Sequence, residues 1–283
     1  MNSVLQPILA APYLNDYFLK KYASESKIRT CRIADTYHDL VKQCRGAGGS
    51  CITPSAIKSA VSRSGGGASQ FTGYGQQDSQ EFMRFLLDRM HDELNRVRTK
   101  PPYKELKFTN KSIEQQSEEW DKYYKARDDS IITDIFEGQL INRTHCLSCG
   151  HSDCAFDNFM DLSVEIPRRA VRFLGSIELS DCLEKFIESE TMKDTGFKCE
   201  GCKKRVDIEK SLSIYRFPRV LTIHLKRFYH SAMRREKLNT TVKFPESLDV
   251  SKYAPHSSKS ISLPNLSSQT TPVNPKQNTA SSA

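Results

Sequence analysis

Four cysteines stand in two pairs, Cys146-Leu147-Ser148-Cys149 and Cys199-Glu200-Gly201-Cys202. Two thiols two residues apart let one tight turn offer both sulfurs to one ion, and four thiolates make the tetrahedral set that zinc takes in closed structural sites. Gly150 and Gly201 suit such turns, because glycine accepts backbone angles that other residues avoid. The stretch between the pairs is longer than in a compact zinc ribbon, which predicts two β-hairpin tips with a strand-and-helix segment inserted between them. The alternatives are four unrelated buried thiols or two disulfides, and a reducing compartment favours metal over both. His145 and His151 flank the first pair and could support or replace a ligand, and Cys154 lies close by. Of the remaining thiols, Cys182 sits near the start of a predicted helix, where the dipole can lower a thiol pKa. Its neighbours Leu183, Phe186 and Ile187 read instead as the surroundings of a small buried hydrophobe.

The elements that position these residues fall into two kinds. Leu5, Leu9, Tyr13, Tyr17 and Leu19 recur at helical spacing, with Pro7 and Pro12 dividing the segment into two short helices. Residues 33–44 form a further helix, closed by the glycines of 46–49. Thr53-Pro54 opens another, with Thr53 as N-cap and proline at the first helical position. Residues 64–68 are glycine-rich, lack the Lys-Ser/Thr of a phosphate loop, and read as a flexible linker. The strongest helix follows: Asp78 caps it, Glu81 is placed to close a capping box, and Phe82, Leu86, Met90, Leu94 and Val97 share one face. Residues 100–117 read as a polar loop and Trp120, Tyr123 and Tyr124 as a helical piece. Beyond the first cysteine pair the text turns to strands, at 159–166, 212–215, 220–228 and 241–244, with a helix from Ser180 through Ile187. From His256 onward almost no large apolar residue occurs, which predicts disorder.

The chain has 283 residues, of which 37% are hydrophobic, and carries a net charge of +8. No apolar run is long enough to span a bilayer, and the first nine residues lack the basic start and apolar core of a secretory signal. The expectation is a soluble protein of the cytoplasm or nucleus, without a membrane partner. Lys203-Lys204-Arg205 is a tight basic group beside the second cysteine pair, so a zinc ribbon that binds nucleic acid is one reading. Aromatic residues do not interleave with that stripe as base stacking requires, which argues against nucleic acid.

Several stretches, in this order, resemble the catalytic domain of the ubiquitin-specific proteases. Gly75-Gln76-Gln77-Asp78-Ser79-Gln80-Glu81-Phe82 is similar to the family's Gln-box, and residues 134–149 and 156–162 to the segment entering its zinc finger. Val220-Leu221-Thr222-Ile223-His224-Leu225-Lys226-Arg227-Phe228 is similar to the strand that follows the finger, and Met1-Asn2-Ser3-Val4-Leu5-Gln6 to the residues just after the catalytic cysteine. The resemblance covers residues 1 to about 250. It implies an α+β fold, the papain-like cysteine protease hand of thumb, palm and zinc-ribbon fingers, here incomplete. Residues 1–130 would be the thumb, 131–255 the palm and fingers, and 256–283 a disordered tail. It implies structural Zn2+ on Cys146, Cys149, Cys199 and Cys202, and ubiquitin and ubiquitinated proteins as partners. Asp78 and Glu81 match the box acids associated with the arginine-rich tail of ubiquitin, a sensible pairing because carboxylates bind guanidinium bidentately.

The reaction implied for the complete family protein is thiol-dependent hydrolysis of ubiquitin isopeptide bonds. In the family the nucleophilic cysteine lies two residues before the position matched by Met1, and the Gly-His-Tyr of the histidine box occurs nowhere in this sequence. No catalytic residue is therefore assigned. The expectation is a chain truncated at both ends and inactive alone, with a non-catalytic ubiquitin-binding module as the alternative. Uncovered sheet edges and apolar surface predict marginal stability.

Overall fold

The computed structural model describes residues 1–25, 32–46, 51–73, 75, 77–106, 108, 111–167, 175–230 and 235–254. The polar tail, the arginines at 168 and 169, and Cys31 lie outside these. The chain opens with α1 (Asn2–Leu9) and α2 (Pro12–Lys20), divided at Ala11 so that Pro12 occupies the first turn of α2, where its missing N–H costs nothing. Val4, Leu5 and Ile8 of α1 and Leu14, Tyr17 and Phe18 of α2 turn inward. After α3 (Tyr22–Glu25) comes α4 (Ile33–Gly46), whose Tyr37 ring meets Phe18 edge-on at 4.8 Å. Helix α5 (Ser55–Arg63) starts one residue later than its sequence predicts: Pro54 itself takes the cap position and Thr53 makes no cap hydrogen bond. The glycine-rich stretch after it touches the helical layer at two points. Arg89 Nη2 donates to the Gly66 carbonyl at 2.9 Å and Ala68 is buried.

Helix α6 (Ser79–Leu94) lays Phe82, Leu86, Leu87, Met90 and Leu94 into this same core. It stops before Val97 because the buried Asn95 leaves helical geometry, its Oδ1 accepting from the N–H of Val97 and of Asp129. Helix α7 (Ile113–Lys125) begins well before Trp120, inside the stretch expected to be a loop. A Ser112–Gln115 capping box starts it. Helix α8 (Ile131–Phe136) closes the helical layer with Ile132, Ile135 and Phe136 in the first core.

Strands β1 (Gly138–Cys146), β2 (Ser152–Phe159), β5 (Glu190–Met192) and β6 (Ile208–Arg216) make one antiparallel sheet in the order β2-β1-β6-β5. Between its halves the chain runs through β3 (Leu162–Glu165), β4 (Ser176–Glu178) and α9 (Leu179–Ile187), the inserted strand-and-helix segment that the cysteine spacing requires. Strand β7 (Ile223–Lys226) pairs parallel with β3, and β10 (Thr241–Lys243) parallel with β4; β8 (Phe228–His230) and β9 (Arg235–Lys237) form a hairpin. Leu221, Ile223 and Leu225 all face a second core built on Phe159, Leu162, Val164, Cys182, Ile214 and Tyr253. Phe159 belongs to this second core and its neighbour Met160 to the first, so the chain passes between the two cores at that bond. Among the described residues no helix is long and apolar enough to cross a membrane.

Candidate metal centre and cleft

The β1–β2 hairpin turns through Cys146 to Ser152. The Cys146 N–H bonds to the His151 carbonyl at 2.8 Å and the Gly150 N–H to the Cys146 carbonyl at 3.0 Å. A second tip forms where Lys198 bridges Arg205, with the Cys199 N–H on the Lys204 carbonyl and the Lys203 N–H on the Cys199 carbonyl. The two tips meet. All four sulfurs lie within 4.8 Å of one another, and Cys149 Sγ is 3.7 Å from Cys199 Sγ. A zinc ion with Zn–S bonds of about 2.3 Å separates its thiolates by about 3.8 Å in a tetrahedron, so this spacing fits one such ion. Desolvation raises the Cys146 thiol, but donors from the Cys149 and Ser148 backbone N–H groups and the neighbouring thiols outweigh it and bring its pKa down to about 7. Cys149 moves the other way: the His151 backbone N–H lowers its thiol, but hydrogen bonds with the other three cysteines and burial outweigh that and push it up to about 11, so an ion that takes all four sulfurs must displace protons.

The two glycines act differently. Gly150 takes φ +74°, as expected of a knuckle turn. Gly201 keeps an ordinary φ; what it supplies is room, since a Cβ there would lie 2.7 Å from His151 Cβ. Neither histidine joins the cluster: His145 Nδ1 hydrogen-bonds Ser152 Oγ at 2.9 Å and His151 Nε2 meets Asp153 Oδ1 at 3.0 Å. Among the described residues these four cysteines are the one group of metal-ligating side chains close enough to share an ion, and Cys154 is not part of it.

A cleft of about 570 Å³ opens elsewhere, where the N-termini of α1, α5 and α6 converge. Met1, Asn2, Pro54, Lys58, Gln77 and Asp78 line it. Asp78 caps α6 through one oxygen, Oδ1, which accepts from the N–H of Gln80 at 2.7 Å and of Glu81 at 3.4 Å. Glu81 does not reach back to complete a capping box. Its side chain is exposed and makes no hydrogen bond or ion pair among the described residues. The same helix carries a contact that sequence reasoning missed. Gln80 and Arg84, one turn apart, both donate to Asp161, at 3.1 and 3.3 Å.

Cys182 is fully buried, and burial followed by the charge of Asp181 raises its thiol pKa. It packs in the second core as a small hydrophobe, as its neighbours predict. No cysteine sulfur hydrogen-bonds a histidine ring among the described residues. A Ser130–His91–Asp128 alignment exists, with His91 Nδ1 2.8 Å from Ser130 Oγ and Nε2 3.5 Å from Asp128. Ser130 is fully buried and its hydroxyl caps α8, so the arrangement holds two helices together and has no access to substrate.

Comparison with known proteins agrees with this architecture. The family described as ubiquitin carboxyl-terminal hydrolase matches residues 1–266. The chain is 38% identical over 208 residues to ubiquitin carboxyl-terminal hydrolase 2 of Gallus gallus, covering 73% of this chain and 57% of that protein. It is 34% identical over 264 residues to ubiquitin carboxyl-terminal hydrolase 2 of Homo sapiens, covering 90% of this chain and 42% of that one. The chain thus spans about half the length of these relatives. Among solved structures, a chain of the SAGA Ubp8/Sgf11/Sus1/Sgf73 DUB module bound to ubiquitin aldehyde superimposes with a TM-score of 0.68 at 24% identity, covering 89% of this chain and 50% of that one. At that identity the likeness is one of fold.

Proposed function

Because the chain belongs to the ubiquitin carboxyl-terminal hydrolase family, we propose that its helical thumb (1–130) and its palm and fingers (131–255) form the hand with which a cysteine-type deubiquitinase holds ubiquitin. In this reading Cys146, Cys149, Cys199 and Cys202 hold a structural zinc that fixes the fingers. Asp78 and Glu81 receive the arginines of ubiquitin's C-terminal tail. The observation that carries the reading is the division of labour in the first turn of α6. Asp78 uses one carboxylate oxygen as a helix cap, and the Glu81 carboxylate, one turn along, is exposed and without a partner among the described residues. An acid that neither caps nor pairs inside the chain is available to an arginine from outside it. The relative solved with ubiquitin aldehyde supports ubiquitin as the partner.

By the same reading this chain binds ubiquitin without cleaving it. Thiol hydrolysis needs a thiolate beside a histidine, and the best internal candidate, Cys182, is sealed in the second core. The nucleic-acid reading has less support, since no aromatic residues interleave with the basic group at 203–205 as base stacking requires. Titration with ubiquitin tests the proposal: Glu81→Arg should abolish most of the binding, and unchanged affinity would refute the role given to the acids. A ubiquitin–vinyl-sulfone probe tests inertness, and a covalent adduct with this chain would overturn it.

A further inference from the structure

Asp161 stands between the end of β2 and the start of β3, and its side chain is only 7% exposed. A carboxylate so enclosed is costly unless its oxygens are satisfied. Here three donors meet it from two parts of the molecule. From α6, Gln80 Nε2 reaches Oδ2 at 3.1 Å and Arg84 Nη1 reaches Oδ1 at 3.3 Å; from β3, Ser163 Oγ reaches Oδ2 at 3.2 Å. Ser163 also lies 3.0 Å from His224 Nδ1, its direct neighbour across the β3–β7 register. A hydroxyl has one proton, and the carboxylate can only accept, so that proton goes to Asp161 and His224 donates its Nδ1–H to the serine oxygen. The chain His224 → Ser163 → Asp161 ← Gln80 and Arg84 therefore runs from a palm strand to the thumb helix.

Helix α6 belongs to the first core and β3 and β7 to the second. Gln80 is adjacent to Glu81 and two residues from Asp78, so whatever fixes Gln80 against β3 fixes the acids as well. We propose that Asp161 is a positioning residue for ubiquitin: by bolting the first two turns of α6 to the β3–β7 ribbon it sets where the Asp78–Glu81 pair meets the incoming C-terminal tail. The inference rests on the tail-binding role proposed above and adds to it the group that holds the acids in register.

The test uses the full chain, fluorescent ubiquitin and ubiquitin lacking its C-terminal tail. Asp161→Asn should weaken full-length ubiquitin roughly tenfold, the scale of one charge-assisted hydrogen bond, and leave tail-less ubiquitin unaffected. Glu81→Gln should then cost less in the Asp161→Asn background than in the parent, because acids already out of register have less to lose. Arg84→Gln breaks the same bolt from a half-exposed side and serves if Asp161→Asn does not fold. Equal weakening of both ubiquitin forms, additive effects with Glu81→Gln, or no change with full-length ubiquitin would overturn the positioning role. A parent chain that binds both forms equally well would overturn the tail-binding reading itself, and this proposal with it.

Discussion

Gly201 is where a single methyl group decides whether the two cysteine tips can meet. The obstacle to a side chain there is His151 Cβ at 2.7 Å, with Cγ at 2.8 Å, close to the backbone and not the free end of a flexible chain. Gly201→Ala must therefore push the tips apart and spread the four sulfurs. We expect it to lower zinc affinity by about tenfold, the scale of losses seen when a metal site's supporting contacts are disturbed, as read by competition with a chromophoric chelator. Glu137 poses a different problem. Burial, opposed by Arg216 and reinforced by Asp121, raises its pKa from 4.5 to about 7. A carboxyl whose folded pKa is raised holds its proton longer in the folded chain, so its contribution is present below pH 4.5 and is lost as pH rises to 7. Glu137→Gln keeps an acceptor for Asn158 Nδ2, which lies 2.8 Å from Oε1. The variant should gain about 1–2 kcal/mol over the parent at pH 8 and much less at pH 5, with equal gains at both pH values counting against this account. At this scale the convergence of the four cysteines was legible from sequence, because paired thiols at fixed spacing admit few other arrangements. Asp161 was not: its partners on α6 lie 81 and 77 positions away, and no local pattern announces them.

The elements show where local rules suffice and where distant contacts intervene. Helix α4 has its N-terminal turn held from outside. Glu93 of α6 accepts from the backbone N–H groups of Arg32, Ile33 and Ala34 at 2.8–3.1 Å, satisfying donors that a helix leaves orphaned at its start. The negative charge also complements the helix dipole there. Glu93→Ala should cost about 1–2 kcal/mol by urea unfolding, and a loss under a few tenths would mean that water replaces the cap. The apolar periodicity of α6 announced its core face, yet not its end, which Asn95 fixes through residues 128 and 129. The first half of helix α7 was hidden for another reason. It buries only Ser117 and is tied to the sheet by polar contacts: Ser117 to Gln139 at 2.6 Å, Trp120 to Asn158 at 3.0 Å, and an Asp121–Arg216 ion pair. A helix held by polar pairs leaves little apolar periodicity in the text. Its Ser112-Ile113-Glu114-Gln115 box was the signal that could have found it.

In the whole molecule, the fingertips stand apart from both cores. The first core gathers residues from α1 through α8 with Met160, and the second gathers the palm strands with α9; Cys146 and Cys199 are buried but belong to neither. They cluster with each other at the hairpin tips, outside the two apolar cores that stabilise the rest of the chain. If the four thiolates hold zinc as proposed, the ion contributes folding free energy directly, and its removal is the removal of that local core. Stripping the metal with a strong chelator should therefore release residues 144–152 and 197–206 to rapid hydrogen exchange while α4, α6 and α8 keep their protection. Cys199→Ser should reproduce the pattern in metal-replete buffer, because one missing thiolate opens the tetrahedron. Near-ultraviolet signals from the Phe18, Tyr22 and Tyr37 cluster, packed at 4.8–4.9 Å around Phe18, report the first core and should be unchanged. If chelation instead unfolds α4 and α6 together with the tips, the fingers are coupled to the thumb through the β2–β3 junction more tightly than the separation of the cores allows, and zinc would then stabilise the whole hand.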